Sequence, residues 1–218
     1  MTDYDTLRTA MVDCQVRPSD VTKFPIISAM LAVRREVFVP SAKREVAYVG
    51  DHVDLGQGRV VLDPRIFSKM LDSLNITPGE MVLDIGCGLG YSAAVIGHLA
   101  EAVIALESDK TLATEAESNL AAQAIDNAIV VTGTLAEGAA KHGPYDAICV
   151  SGGAVEDIPA HLLDQLKEGG RVAAIFATGL AGECRVGIKT NGIVAWHGAF
   201  DATAPVLKGF EKTREFAL

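Results

Sequence analysis

The sequence predicts an α/β protein with a doubly wound, mostly parallel sheet, an N-terminal helical elaboration and a C-terminal antiparallel hairpin. Three observations carry this. Short apolar runs alternate with helical patterns, a glycine-rich turn follows the first run, and an Asn191-Gly192 pair joins two final runs. Parallel strands need long crossovers and are covered on both faces, so nearly continuous apolar runs read as buried strands.

Residues 4–16 predict a first helix, and a second follows "RPSD" with Ser19 or Asp20 as its N-cap. Pro40 ends that region, and a short polar helix over 42–48 leads to the stretch "GQGRVVLDPRIF", residues 56–67. In "DPRIFSKMLDSL", Ile66, Met70 and Leu74 recur every four residues with Pro64 in the first turn, which predicts a helix. Strands are predicted over 81–85, 102–107, 128–133, 145–152 and 171–177. Between them Leu112, Ala116, Leu120 and Ala124 mark one helix face, and "IPAHLLDQLKEGG" reads as a helix from Pro159 to a Gly169-Gly170 stop. Asn191-Gly192 between apolar runs is a hairpin signal. No repeat or low-complexity linker interrupts the chain, so one compact domain is expected. Residues 1–62 form its helical, substrate-side elaboration and 63–218 its core.

Composition narrows the function. The chain of 218 residues, 49% hydrophobic and 22% charged, is that of a globular protein with little disorder. A net charge of −9 argues against a nucleic-acid partner, which demands clustered lysine and arginine. The start "MTDYDTLRTAMVD" lacks a basic region followed by an apolar run, and no apolar run approaches about 18 residues, so neither a secretory signal nor a membrane partner is expected. Cys14, Cys87, Cys149 and Cys184 form no CxxC pair and read as reduced core thiols of a cytoplasmic protein. His52, His98, His142, His161 and His197 lack ligand spacing, so no metal is expected. Asp146 reads as a strand-entry hydrogen-bond acceptor and Trp196 as core. Ser151 and Gly152 either border a reacting group or only form a turn.

The chemistry is concentrated in "VLDIGCGLGYSAAV". A buried strand runs into Gly86, Gly88 and Gly90, and a helix begins near Tyr91; glycines there let a ligand approach the backbone N–H groups. The dinucleotide fingerprint GxGxxG is not met, because the spacing is GxGxG with Tyr91 at the third glycine position. Asp84, two residues before the first glycine, disfavours a pyrophosphate and favours an ammonium or sulfonium ligand such as S-adenosylmethionine. Glu107, at the end of the next strand, is placed to accept both ribose hydroxyls. An NAD site, and a glycine turn that only tightens packing, are the competing readings.

These segments resemble the bacterial protein-L-isoaspartate O-methyltransferases. The resemblance runs through "RREVFVPSAKREVAYVGDHVDLGQG", "ITPGEMVLDIGCGLGYSAAVIGHL" and "GPYDAICVSGGAVEDIPAHLLDQLKEGGRV", most of the chain. It implies a Rossmann-like, seven-stranded methyltransferase sheet. S-adenosylmethionine would be the donor, S-adenosylhomocysteine the product, and an isoaspartyl carboxylate in damaged protein the acceptor, the first step of its repair. By the resemblance Asp84, Gly86, Gly88 and Gly90 form the cofactor loop, Glu107 is the ribose acid, and Gly56, Gln57, Gly58 and Pro64 match the substrate-side segment. Where the family reads "QTISQP" this chain reads "RVVLDP": Arg59 replaces glutamine, Val60 the threonine, and Leu62 the active-site serine. Thr134 stands where the family has an aspartate that contacts adenine. Arg59 is then a candidate clamp for a substrate carboxylate, or else faces solvent or pairs with Asp63. With two hydroxyls gone, isoaspartyl transfer is expected to be weak, redirected or absent, leaving a different acceptor, including a small molecule, or a non-catalytic cofactor-binding module as alternatives.

Overall fold

The computed structural model describes residues 2–179 and 181–212; positions 213–218 of the predicted core lie outside the described residues. A small antiparallel hairpin, β1 (Val53–Gly56) and β2 (Arg59–Val61), precedes a seven-stranded sheet. Its strands are β3 (Met81–Ile85), β4 (Ala102–Glu107), β5 (Ala128–Thr132), β6 (Tyr145–Val155), β7 (Leu166–Thr178), β8 (Ala181–Thr190) and β9 (Ile193–Asp201). The order is β5-β4-β3-β6-β7-β8-β9, parallel from β5 to β7 and antiparallel from β7 to β9. The apolar runs therefore form strands at the predicted places, and Asn191-Gly192 turns the final hairpin with φ of 53° and 78°.

Among the described residues six α-helices accompany the strands: α1 (Tyr4–Met11), α2 (Phe24–Ala32), α3 (Pro64–Leu74), α4 (Tyr91–Gly97), α5 (Lys110–Ala122) and α6 (Ala160–Leu163). Helix α3 starts as its sequence demands, with Asp63 Oδ1 accepting from Arg65 N and Ile66 N and with Ile66, Met70 and Leu74 buried. In α5, Ala116 and Leu120 are buried, but Ala124 lies past the helix end at φ 55°.

Several expected elements are corrected. The α-helix predicted over 4–16 is regular only to Met11 and continues as a π-helical turn over Val12–Val16. Neither Ser19 nor Asp20 caps α2: Ser19 Oγ donates back to Gln15 O at 2.7 Å, Asp20 is left-handed, and Lys23 is the N-cap. The polar helix expected over 42–48 is a 3-10 segment, Ser41–Val46. The helix expected to run from Pro159 to Gly169 stops at Leu163, because the freed carbonyls find other donors. Lys189 Nζ donates to Leu163 O, Asp164 O and Leu166 O, and Tyr145 N donates to Gln165 O at 2.8 Å, drawing the chain into β7. Strand β6 passes the expected end at Gly152 by bulging: Cys149 and Ala154 face Ala173 and Ile175.

One apolar core joins Met11, Met30 and Phe38 to Phe67, Tyr91 and Ile175, so packing crosses the 62/63 boundary. Cys87, Cys149 and Cys184 are buried in keeping with a core role, whereas Cys14 is exposed. Asp146 accepts from Met81 N at 2.8 Å and pairs with Lys167, which fixes the entry to β3. Trp196 is half-buried, edge-on to Phe176 with centroids 5.0 Å apart. No helix among the described residues is long and apolar enough to cross a membrane.

Candidate functional site

The sheet order reverses between β3 and β6, so the crevice outside their C-terminal ends is where an open α/β sheet takes its ligand. Asp84, on β3, is fully buried. Ser151 Oγ donates to its Oδ1 and Ser92 Oγ to its Oδ2, each at 2.5 Å. Burial pushes the Asp84 carboxyl up to about 6, against the two serine hydrogen bonds and with help from the Glu107 charge. The folded-state value thus lies above the unfolded 3.8, the reverse of the usual carboxylate case. The native state holds this proton between pH 3.8 and about 6 where the unfolded chain has lost it, so the contribution to stability falls as pH rises through that window. The full change is about 3 kcal/mol. Asp84→Asn is therefore expected to gain on the parent between pH 4 and pH 8, read as the difference between their denaturant-unfolding free energies. A difference that stays flat with pH would contradict the assignment.

The loop after β3 bends toward β4, with Gly86 N and Cys87 N donating to Leu106 O. Gly86 and Gly152 approach so closely that a Cβ on Gly152 would lie 2.4 Å from Gly86 O. This contact draws the bulge of β6, and with it Ser151, onto the loop. Burial pushes the Cys87 thiol well up, so it is an inert packing group.

Glu107 ends β4 fully buried. Its Oε1 accepts from Ser108 N at 2.7 Å and Asp109 N at 3.0 Å, and its Oε2 from Gly88 N at 3.0 Å. Arg59 Nε lies 3.2 Å from both oxygens, and Arg59 Nη2 donates to Ser108 Oγ at 2.7 Å. Arg59 is itself only 5% exposed. It arrives on the β1–β2 hairpin, which also lays Leu55 over the loop: a Cβ on Gly88 would meet Leu55 Cδ1 at 2.5 Å. Gln57 Nε2 donates to Asp109 Oδ2 at 3.3 Å from the same hairpin.

Two cavities border this arrangement. The larger, about 830 Å³, is lined by Leu55, Gln57, Arg59, Ser108, Thr134 and Lys208 among others. The smaller lies among Val60, Leu62, Phe67, Gly86, Ser92 and Ser151 and holds only about 10 Å³, at the limit for one water. Among the expected cofactor residues, Thr134 alone borders the large cavity. Asp84, Gly86, Gly88 and Gly90 lie away from it: Ser92 and Ser151 cover Asp84, Gly152 lies on Gly86, Leu55 on Gly88, and Phe38, Ala116 and Leu120 on Gly90.

The residues expected on the substrate side divide. Gly56 and Gln57 line the large cavity, Gly58 faces Val206 O, and Val60 lines the small cavity. Leu62 is buried there too, its carbonyl accepting from Arg35 Nη2 at 2.8 Å. Two of the expected positions for Arg59 are corrected: it neither faces solvent nor pairs with Asp63, but sits buried on Glu107 and Ser108.

Some participants have little or no sequence signal. Arg35 is fully buried, donating to Ala47 O and Leu62 O with its guanidinium 4.7 Å from the Tyr91 ring centroid, which ties the N-terminal lobe to the site. Leu55 and Ser92 gain their roles only by docking. Asp109 is the N-cap of α5, its side chain accepting from Thr111 N and Leu112 N.

The fold and its cleft define a Rossmann-like α/β protein of the methyltransferase type. The family model for protein-L-isoaspartate(D-aspartate) O-methyltransferase matches residues 8–179. A protein-L-isoaspartate O-methyltransferase of Koribacter versatilis is 35% identical over 172 residues, 79% of this chain and 77% of that one. One from Marinobacter nauticus is 38% identical over 176 residues, 81% and 80% of the two chains. The chain belongs to the protein-L-isoaspartate (D-aspartate) O-methyltransferase family. Its fold is also that of a solved protein-L-isoaspartate O-methyltransferase (TM-score 0.79, 23% identity, 95% of this chain and 66% of that one). A second solved structure, from Plasmodium falciparum and in complex with S-adenosyl-L-homocysteine, has a TM-score of 0.78 at 22% identity, covering 95% and 99% of the chains.

Family members use S-adenosylmethionine. The large cavity fits the nucleoside end of that molecule in volume and in its mixed lining of Leu112, Leu135, Ser108 and Thr134. Glu107, the acid expected to take the ribose hydroxyls, is engaged by Arg59.

Proposed function

We propose that the protein is an S-adenosylmethionine-dependent O-methyltransferase acting on a carboxylate of a peptide or protein. The single observation that carries this reading is the family match across residues 8–179, on a chain whose cleft meets the end of β4 beside Glu107 and Thr134. When bound, S-adenosylmethionine supplies an electrophilic methyl carbon. An acceptor carboxylate is already ionised near neutral pH, so the chain need supply no general base; its work is alignment and exclusion of water. Val60, Leu62 and Phe67 exclude water at the small cavity, and the Leu62 backbone is held by Arg35. Thr134 offers a neutral hydroxyl on the nucleoside side.

A second reading, the same scaffold with another acceptor or as a non-catalytic binding module, is favoured by one observation: the small cavity is walled by hydrocarbon at Val60 and Leu62. Radiolabelled methyl transfer to an isoaspartyl peptide beside its aspartyl twin, with direct titration of S-adenosylmethionine, tests both. Slow transfer, to the isoaspartyl peptide and not to its twin, is the expected result. Cofactor binding without transfer would select the second reading, and no cofactor binding would sink both.

A further inference from the structure

We propose that Arg59 is an affinity-determining residue of the cleft, a latch that occupies the ribose-binding acid and that a nucleoside must displace. The inference rests on the nucleoside reading above but concerns a residue that the family pattern does not supply. A carboxylate offers about four lone-pair sites. At Glu107 five donors share these: Ser108 N, Asp109 N, Gly88 N, Ser108 Oγ at 3.3 Å and Arg59 Nε. Three of the five are backbone groups fixed by the loop and by the start of α5, and Ser108 Oγ belongs to the residue next to Glu107. Arg59 alone is a side chain from another element, so it alone can leave without unfolding the site.

The latch is also incomplete. Arg59 Nη1 is buried and has no hydrogen-bond partner among the described residues. An ion pair that leaves a buried donor unpaired gives up part of what burial cost it, which makes it displaceable. Its carrier is a short hairpin that also sets Leu55 against Gly88 and Gln57 on Asp109, so release of Arg59 and exposure of the glycine loop involve one element. Glu107 keeps its three backbone donors after Arg59 departs, so removing the arginine does not strand the carboxylate.

The test compares the parent, Arg59→Ala and Arg59→Gln by isothermal titration with adenosine, S-adenosylhomocysteine and 2′,3′-dideoxyadenosine, alongside thermal unfolding to confirm that each variant folds. The variants are expected to bind adenosine and S-adenosylhomocysteine at least about 10-fold more tightly, with no gain for dideoxyadenosine, which has no hydroxyls to offer Glu107. Equal or weaker adenosine binding in a folded variant would overturn the latch, as would absence of nucleoside binding in every protein. An equal gain for dideoxyadenosine would overturn it too, because the effect would then be space rather than release of the acid. A gain for adenosine without any binding of S-adenosylhomocysteine would uphold the latch and defeat the cofactor reading.

Discussion

A chain carrying Val60→Thr together with Leu62→Ser is expected to methylate an isoaspartyl peptide about 10–100-fold faster in kcat/KM than the parent. Removing one positioned donor from an oxyanion site costs about 10²–10³-fold in other enzymes, and the expected gain is smaller because Arg59 still engages Glu107. The two positions border the small cavity and are 5% and 2% exposed, so any hydroxyl introduced there faces the interior of the site. Two buried hydroxyls and a lost isobutyl group have a stability cost, about 2–5 kcal/mol for the leucine truncation alone. Rates are therefore compared at a temperature where circular dichroism shows the variant folded. Leu62→Ala separates the effects: it opens the same space without a hydroxyl and is expected to gain nothing. If the double variant binds S-adenosylmethionine as the parent does and its rate is unchanged, the site has diverged beyond these two side chains.

Gly152→Ala is expected to destabilise the protein by about 3 kcal/mol, an overpacking cost at the upper end of the usual range. The new methyl would lie 2.4 Å from Gly86 O and 2.8 Å from Gly86 Cα, and both are backbone atoms that no rotamer change can move. For a chain of this size the expected fall in Tm is roughly 6–12 °C. Gly79→Ala is the control, since a Cβ there meets nothing within 4 Å; its effect is expected within about 0.5 kcal/mol. If the two variants melt alike, the β3–β6 contact does not hold the site together. The same substitution is expected to loosen the Ser151–Asp84 hydrogen bond and so to weaken the pH dependence described for Asp84.

Much of the frame was legible because periodicity is a local property of the chain. Met81–Ile85 and Ala102–Glu107 form strands at the predicted residues, since apolar runs buried on both faces have few alternatives. Helix α3 was legible from Pro64 and a four-residue apolar spacing, and the structure adds the Asp63 cap. Where competition was tertiary, local reading failed. The segment from Pro159 has helical composition throughout, yet Lys189 on β8 captures its carbonyls and the helix ends after Leu163.

The sequence by itself determined the sheet, the glycine loop at its switch point, and the replacement of two hydroxyl residues by Val60 and Leu62. Only the tertiary structure decided what Arg59, Glu107 and Asp84 pair with. Arg59 and Glu107 stand 48 positions apart, and their pairing depends on how a two-stranded hairpin docks across the end of β4. The Asp84 carboxyl carries no local sign that Ser92 and Ser151 will converge on it. A side chain's periodic placement follows from its own neighbours along the chain, whereas an electrostatic partner is fixed by distance in space, and three-dimensional packing alone sets that distance.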